Sequence, residues 1–246
     1  MRVAVTSAWN EAYQPIADIT VPVMVEYAKK HGYSFCGWPD RYHTDEQRDP
    51  SFLTYGDRAK LQIYKDLYAD FDVIVWLDVD TLITNQDKRI EDILGDRPFL
   101  WTVDWHGPLS GFTIARCIPS VHLALNTVLH RAAEDAWSLG TTGKPLAHGG
   151  RSDQDTMRFF APWRPFNEIF GPQNQVTCKE AGHCMPMAYM KADPLYFYIA
   201  NWEPGDFLWT LPGAPVAERV ALLFEKAVEV YGDTRHEANA RYSLGN

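Results

Sequence analysis

A short apolar segment limits the fold of this chain more than any other feature of its sequence. Five consecutive apolar residues, Val73 to Leu77, follow Asp72 and lead directly into Asp78. The run is short, β-branched and bounded by charges, so it predicts a strand at 72–77 rather than a helix. A strand that is apolar at every position is buried on both faces, which is typical of the centre of a parallel sheet covered by helices.

The segments before this strand alternate between strand and helix. Residues 3–6 predict a first strand, residues 21–31 a helix that ends at Gly32, and residues 33–38 a second strand. Residues 57–68 repeat apolar side chains at a helical period and predict a second helix. The resulting order of strand, helix, strand, helix and strand predicts an α/β fold with a mostly parallel sheet and helices on both faces.

Weaker patterns predict the elements that follow. Strands are expected at 99–103, 111–116 and 195–200, and helices at 119–137, 153–160 and 216–231. The chain has 246 residues, which is long enough to bury a core without disulfides. No repeat or low-complexity linker divides it, so we interpret residues 1–246 as a single domain.

Composition excludes several functional classes. The net charge of −9 argues against a protein that coats DNA or RNA, because neutralising phosphates requires a basic surface. No apolar run reaches the length of about 18 residues that a membrane span needs, so none is predicted. Residues 1–7 resemble a strand rather than a signal peptide, and the four cysteines are mostly far apart. Both features favour a cytoplasmic protein with reduced thiols.

The residues after the apolar strand carry the strongest chemical signal. Asp78 and Asp80 are separated by Val79, so strand alternation places both carboxylates on one side where the strand ends. Ligands of open α/β sheets bind at the carboxyl ends of the strands. Adjacent carboxylates repel each other unless a cation lies between them, and their hard oxygens suit Mg²⁺ or Mn²⁺, which can bridge a diphosphate. The alternative is a pair of solvated loop aspartates, one of which caps the next helix.

Several short motifs occur in order around these two aspartates. They are YAKKHGY at 27–33, YGDRAKL at 55–61, FDVIVWLDVD at 71–80, SGFTIAR at 110–116, SDQD at 152–155 and PGDFLWTLPG at 204–213. Each motif alone is common. Their order and spacing over most of residues 1 to about 225 resemble glycosyltransferase family 34, the retaining α-galactosyl, mannosyl and xylosyl transferases.

This resemblance implies a GT-A-type, Rossmann-like fold and a nucleotide diphosphate sugar as donor, with UDP favoured. It implies transfer of a hexose or pentose to a hydroxyl of a glycan acceptor, with the anomeric configuration retained. Because eukaryotic members of the family usually carry a membrane anchor and no span is predicted here, we expect a soluble, cytoplasmic enzyme of bacterial or viral type. A divalent cation, Mn²⁺ or Mg²⁺, would bind at Asp78 and Asp80, with the ribose held beside it. In this interpretation the nucleotide-binding half covers about 1–105 and the acceptor-side half about 106–231.

The same resemblance assigns donor-binding residues. Thr6 and Ser7, at the end of the first strand, would line the nucleotide pocket, and Lys60 would face the donor or its phosphates. Arg116 ends a predicted strand and is a second cation that could neutralise a phosphate. Alternatively, Lys60 and Arg116 are ordinary surface charges.

Asp153 and Gln154 are the expected catalytic residues, because the resemblance places them near the transferred sugar. Asp153 would stabilise the positive charge of an oxocarbenium-like transition state, and Gln154 would orient the sugar. The alternative for Asp153 is a role as a helix cap, since acidic residues are favoured at helix N-termini.

Two positions depart from the family pattern. Thr210 stands where the family has a metal-binding histidine, and Ser110 precedes Gly111 where an asparagine is expected. A hydroxyl is a poorer metal ligand than an imidazole, so a metal is predicted to bind weakly until the nucleotide completes its shell.

Two other functions stay open. Phosphotransferases of the haloacid dehalogenase type also carry Asp-x-Asp after an apolar strand, but near the N-terminus and with Thr or Val at the position that Leu82 occupies here. The third possibility is a catalytically inactive module that binds a sugar or a nucleotide, which the absence of the metal-binding histidine motivates.

Overall fold

The computed structural model describes residues 1–39, 55–104, 107–138, 157, 160–184, 202–211 and 215–232, with backbone alone at 55–59, 104, 107 and 129–138. The first elements are β1 (Val3–Trp9), α1 (Gln14–His31), β2 (Ser34–Pro39), α2 (Tyr55–Leu67), β3 (Val73–Leu77), β4 (Thr81–Ile83), α3 (Ile90–Leu94), β5 (Phe99–Asp104) and β6 (Gly107–Arg116). They are followed by α4 (Pro119–Ser138), α5 (Asn167–Phe170), β7 (Gln175–Thr177), α6 (Cys178–Ala181), β8 (His183–Cys184), β9 (Leu208–Thr210) and α7 (Val216–Tyr231).

The main sheet has six strands in the order β2-β1-β3-β6-β5-β7. Strand β6 is antiparallel to both of its neighbours, and the remaining adjacent pairs are parallel. This arrangement confirms the predicted α/β class with a mostly parallel sheet. The apolar run that predicted a central strand forms β3, which lies between β1 and β6.

Side chains of β3 alternate between two layers of helices. Ile74 and Trp76 belong to the core cluster that contains the buried residues of α2 and α4. Val73, Val75 and Leu77 belong to a second cluster with residues of α1 and α3. Both faces of the strand are covered, which explains why every one of its positions is apolar.

A second, smaller sheet lies beside the first and was not predicted from the sequence. Its strand order is β4-β9-β8, with β4 antiparallel to β9 and β8 parallel to it. These strands have two or three residues each, too few to show a period. Leu82 of β4 and Trp209 of β9 share a third core cluster with residues of α1 and α7.

The predicted start of the first helix, at residue 21, is wrong. Helix α1 begins at Gln14, after a 3₁₀ turn capped by the Asn10 side chain, and Pro22 lies inside it. Proline interrupts helical hydrogen bonding, which favoured a start near Pro22 in the sequence. The buried positions Ile16 and Thr20 continue the helical period upstream of this proline, and their packing stabilises the additional turns.

The other predicted helices agree well with the structure where it describes them. Helix α7 has the predicted bounds, 216–231, and α2 and α4 differ from prediction by one or two residues at an end. The predicted helix at 153–160 lies mostly outside the described residues, as does the predicted strand at 195–200. Among the helices that the structure describes, none has the length and apolar character needed to cross a membrane.

Candidate functional site

The turn that follows β3 is fixed from several sides through its backbone. The Asp78 N–H donates to the Gly111 carbonyl at 2.9 Å, and the Thr81 N–H donates to the Asp78 carbonyl at 3.0 Å. The Thr20 hydroxyl of α1 donates to the Val79 carbonyl at 2.7 Å. Because β1 and β3 are parallel, this turn stands at the edge of the sheet where ligands of open α/β folds bind.

The Asp78 carboxylate is available to a ligand. Its side chain is 44% exposed, and its Oδ1 atom accepts a hydrogen bond from Trp76 Nε1 at 2.5 Å. Lys60 Nζ lies 3.5 Å from the same oxygen and donates to the Ser110 carbonyl at 2.8 Å. The ammonium also lies 5.1 Å from the centre of the Trp76 ring. Lys60 is therefore placed beside the predicted site, where it neutralises Asp78.

The Asp80 carboxylate is buried and already paired. Its Oδ2 atom accepts a hydrogen bond from Arg219 Nη1 of α7 at 2.7 Å. The guanidinium also lies over the ring of Tyr13, 5.5 Å from its centre. Burial raises the pKa of Asp80 most strongly and the charge of Asp78 raises it further, while Arg219 lowers it.

Arg219 was not identified from the sequence. It lies on the buried face of α7 at helical spacing from Leu223 and Ala227. An arginine in the apolar stripe of an amphipathic helix is the signal that could have found it, since a buried cation needs a partner.

The end of β1 lies beside the same turn. Thr6 pairs with Trp76 in the sheet, so Ser7 reaches the same edge as Asp78. The Thr6 hydroxyl donates to the Cys36 carbonyl at 2.7 Å and accepts from Trp38 Nε1 at 3.0 Å, which uses both of its roles. Ser7 Oγ, by contrast, is buried and has no hydrogen-bond partner within the described parts of the chain.

Gly111 allows the close approach of the Asp78 side chain to β6. A Cβ atom at this position would lie 3.0 Å from Asp78 Oδ2, so any larger residue would displace the carboxylate. The preceding residue, Ser110, contributes its carbonyl to Lys60. Gly111 thus positions Asp78 in two ways: its carbonyl accepts the Asp78 N–H, and its missing side chain leaves room for the Asp78 carboxylate.

The structure does not bring Arg116 to this site, and its expected role in donor binding is corrected here. Arg116 pairs with Val73 at the start of β3, whereas Asp78 follows the end of that strand. Its guanidinium donates to the carbonyls of Arg97 at 3.0 Å and Gly95 at 2.5 Å. Among the described residues, the cation that joins Lys60 at the Asp-x-Asp turn is Arg219.

Thr210 lies near the turn but is engaged. In the small sheet it pairs with Thr81, the residue after Asp80, and its hydroxyl oxygen accepts from the Thr81 hydroxyl at 3.2 Å. Both threonines are buried. Thr210 therefore offers a hydroxyl in place of an imidazole, and the oxygen of that hydroxyl already accepts one hydrogen bond from Thr81.

A histidine of the small sheet lies in the electric field of Asp78. His183 is buried and shares a hydrogen bond between Nδ1 and Thr102 Oγ1 at 3.0 Å, whereas no described residue bonds its Nε2 atom. Burial lowers the pKa of His183 to about 4, against the opposing effect of the Asp78 charge. Its ring is therefore neutral near pH 7.

These contacts test whether the residues fit the divalent cation that the resemblance implies. Asp80 is held by Arg219, Asp78 lies beside Lys60, and the Thr210 hydroxyl is bonded to Thr81. Over the residues that the structure describes, no three His, Cys, Asp or Glu side chains gather into a metal-binding group. The described side chains therefore do not fit a protein-held Mn²⁺ or Mg²⁺ site.

The two predicted catalytic residues, Asp153 and Gln154, lie outside the described residues, and their roles stay predictions.

Comparison with known proteins locates the fold. No protein-family model and no curated protein sequence matches the chain. Among solved structures, it is similar to a glycosyltransferase involved in glycosylation of the major capsid of PBCV-1, with 15% identity over 92% of this chain and 100% of that chain, at a TM-score of 0.61.

Two further structures have comparable folds. One is the galactosyltransferase LgtC in complex with donor and acceptor sugar analogues, at 14% identity over 93% of this chain and 96% of that chain, with a TM-score of 0.50. The other is the glycosyltransferase GlyE of Streptococcus pneumoniae TIGR4, at 12% identity over 99% of this chain and 64% of that chain, with a TM-score of 0.53. At these identities the likeness shows the fold, which is the GT-A arrangement.

Proposed function

We propose that the protein is a glycosyltransferase that moves a hexose or pentose from a nucleotide diphosphate sugar to a hydroxyl of a glycan acceptor. The observation that carries the proposal is the exposed Asp78 carboxylate at the carboxyl edge of the central strand, in a fold shared with solved glycosyltransferases. UDP is the favoured nucleotide because of the resemblance to glycosyltransferase family 34.

The donor would be held by residues at the ends of β1 and β3. The Asp78 carboxylate can accept hydrogen bonds from hydroxyls of the ribose or the sugar, and the buried Ser7 hydroxyl supplies a further polar group. Lys60 and Trp76 hold the carboxylate in place. The Thr6 hydroxyl is already bonded to the Cys36 carbonyl and to Trp38, so Thr6 would position β2 beside the donor rather than bind the donor itself.

The reaction breaks the bond between the sugar C1 and the diphosphate oxygen, and the nucleoside diphosphate leaves with the electron pair. The acceptor oxygen forms the new bond to C1, and retention is the outcome that the family resemblance favours. In a front-face route, a leaving phosphate oxygen takes the acceptor proton; the alternative is double displacement through a carboxylate. Asp153 and Gln154 are the proposed groups beside the cationic sugar. No step in this scheme uses a metal, because the described residues do not fit one.

Thermal unfolding in the presence of candidate donors tests the proposal. UDP or a UDP-sugar should raise the melting temperature, because a ligand selective for the folded state stabilises it. Asp78→Asn should reduce this shift, while the control Asp87→Asn, an exposed partner of Lys30, should leave it unchanged. Stabilisation by phosphate or vanadate alone would instead support the phosphatase, and no response to any nucleoside diphosphate would overturn the transferase.

Turnover of the wild type separates the proposed enzyme from an inactive binding module, and turnover of Asp153→Asn tests the role of Asp153. If Asp153 stabilises the sugar cation, its amide variant should lose about tenfold to a thousandfold in turnover while nucleotide binding persists. If Asp153 only caps a helix, asparagine caps equally well and turnover survives, which would contradict the assignment.

A further inference from the structure

We propose that Arg219 takes the place of a divalent cation at Asp80, so that this site binds a nucleoside diphosphate without a metal ion. The identity of the ligand rests on the function proposed above. The replacement of a metal by Arg219 rests on the contacts of Asp80.

Among the described residues, the Asp80 carboxylate forms an ion pair with Arg219. Arg219 lies in the first turn of α7, where its N–H donates to the Pro215 carbonyl. A cation at a helix N-terminus opposes the helix dipole, which favours acidic side chains there. The carboxylate of Asp80, 2.7 Å from Nη1, compensates this charge, and each of the two side chains is only 11% exposed. The pair is therefore built into the interface between α7 and the turn.

Within the part of the chain that the structure describes, the charges paired at the turn balance. Two carboxylates, Asp78 and Asp80, face two cations, Lys60 and Arg219, at 3.5 Å and 2.7 Å. Adding a divalent ion would give this partly buried group a net charge of two. An ion on the other oxygen of Asp80 would also lie close to the guanidinium, where repulsion between like charges opposes its binding.

A metal that takes both carboxylate oxygens of Asp80 could bind only if Arg219 moved away from Oδ2. That would leave a buried guanidinium without its carboxylate, which is strongly unfavourable. Thr210, which stands where the family has an imidazole, offers a hydroxyl that already accepts a hydrogen bond from Thr81. All three observations point to a site in which Arg219 excludes the metal.

Direct binding of Mn²⁺ is the first test, because it needs no nucleotide. Electron paramagnetic resonance of the full chain with MnCl₂ should show binding at least about tenfold weaker for wild type than for Arg219→Met, in which Asp80 is released from the arginine. Arg89→Met is the control, because Arg89 pairs with Glu91 on the surface. Equal Mn²⁺ affinity in wild type and Arg219→Met would overturn the proposal.

Calorimetric titration of UDP is the second test. Wild type should bind UDP with similar affinity in EDTA and in Mn²⁺, within about threefold, whereas Arg219→Met should bind it at least about tenfold more tightly with Mn²⁺ than in EDTA. A wild-type protein that needs Mn²⁺ for UDP binding would overturn the proposal, even if Arg219→Met does not fold. If wild type binds no nucleoside diphosphate under either condition, the proposed function fails, and the Mn²⁺ measurement still decides the role of Arg219.

Discussion

The two aspartates of the turn after β3 are two residues apart, yet they have different surroundings. Asp78 is nearly half exposed and shares one oxygen with Trp76 and Lys60, so part of its carboxylate faces outward. Asp80 is buried and held by Arg219. A repeated residue type in a short motif therefore does not give two equivalent ligands, because each carboxylate acquires its role from the element packed against it.

The elements on either side explain this difference. Asp78 directly follows β3 and lies against β6, where Gly111 leaves room for its side chain. Asp80 directly precedes β4, which pairs with β9 in the small sheet. Leu82 of β4 packs in the cluster that includes Leu223 of α7, so the second half of the turn is drawn toward that helix.

Removing Arg219 should give the largest loss of stability at this turn. Arg219→Met leaves Asp80 buried without its partner, which costs about 3–5 kcal/mol in the free energy of unfolding. Urea denaturation at neutral pH measures this loss. The surface variant Arg89→Met, which breaks the exposed pair with Glu91, should cost less than about 1 kcal/mol. Equal losses of stability in the two variants would contradict the prediction that the buried Asp80 depends on its partner more than an exposed carboxylate does.

The pH dependence of stability gives a second, smaller effect on the Asp78 side. The folded pKa of His183 is about 4, below its ordinary value of 6.5, so the unfolded chain binds the proton first as the pH falls. The contribution of His183 to stability is thus complete above pH 6.5 and is lost as the pH falls toward 4, by about 2 kcal/mol at pH 5.

His183→Gln should remove this part of the acid sensitivity, because glutamine does not titrate. Urea denaturation of wild type and variant at pH 7.5 and pH 5 would measure the change, with the higher pH as the internal control for lost packing. An identical decline in both proteins would show that His183 is not the group that titrates.

Lys60→Met should have a moderate effect on stability and a clear effect on binding. The variant removes the hydrogen bond from Lys60 to the Ser110 carbonyl and the ion pair with Asp78, which should lower the free energy of unfolding by about 1–2 kcal/mol. UDP affinity should fall about tenfold, since Asp78 loses its fixed position. Lys65→Met, an exposed position on the same helix, serves as the control in calorimetry and denaturation. If both variants bind UDP like wild type, Lys60 has no role in the site.

Ser7→Ala should have the smallest effect, and its sign distinguishes binding from packing. Without ligand, the free energy of unfolding should stay within about 1 kcal/mol of the wild-type value or rise slightly. The variant removes a buried hydroxyl that has no hydrogen-bond partner among the described residues, and such a group is unfavourable in the folded state. UDP affinity should fall severalfold if the hydroxyl meets the nucleotide. A substantial loss of stability without any change in UDP affinity would assign Ser7 to the core instead.

The long helices and strands could be predicted from the sequence, whereas most of the contacts between them could not. The run at Val73 to Leu77 predicted a central strand, and the apolar period of α7 predicted both of its ends, because burial is repeated at every turn of these elements. The small sheet was missed because its strands are too short to show a period. The partner of Asp80 was missed because it lies 139 residues away and only packing brings the two together.

The separation between Asp80 and Arg219 also sets an order of events during synthesis of the chain. The strands around β1 and β3 leave the ribosome early, whereas Arg219 follows Asp80 by 139 residues. Long-range contacts of this kind form late, since a long loop must close before they bring any gain. A nascent chain that ends before α7 holds an Asp80 without Arg219, so the proposed binding site matures only when α7 docks. Ligand binding therefore reports on completion of the fold as well as on the chemistry of the turn.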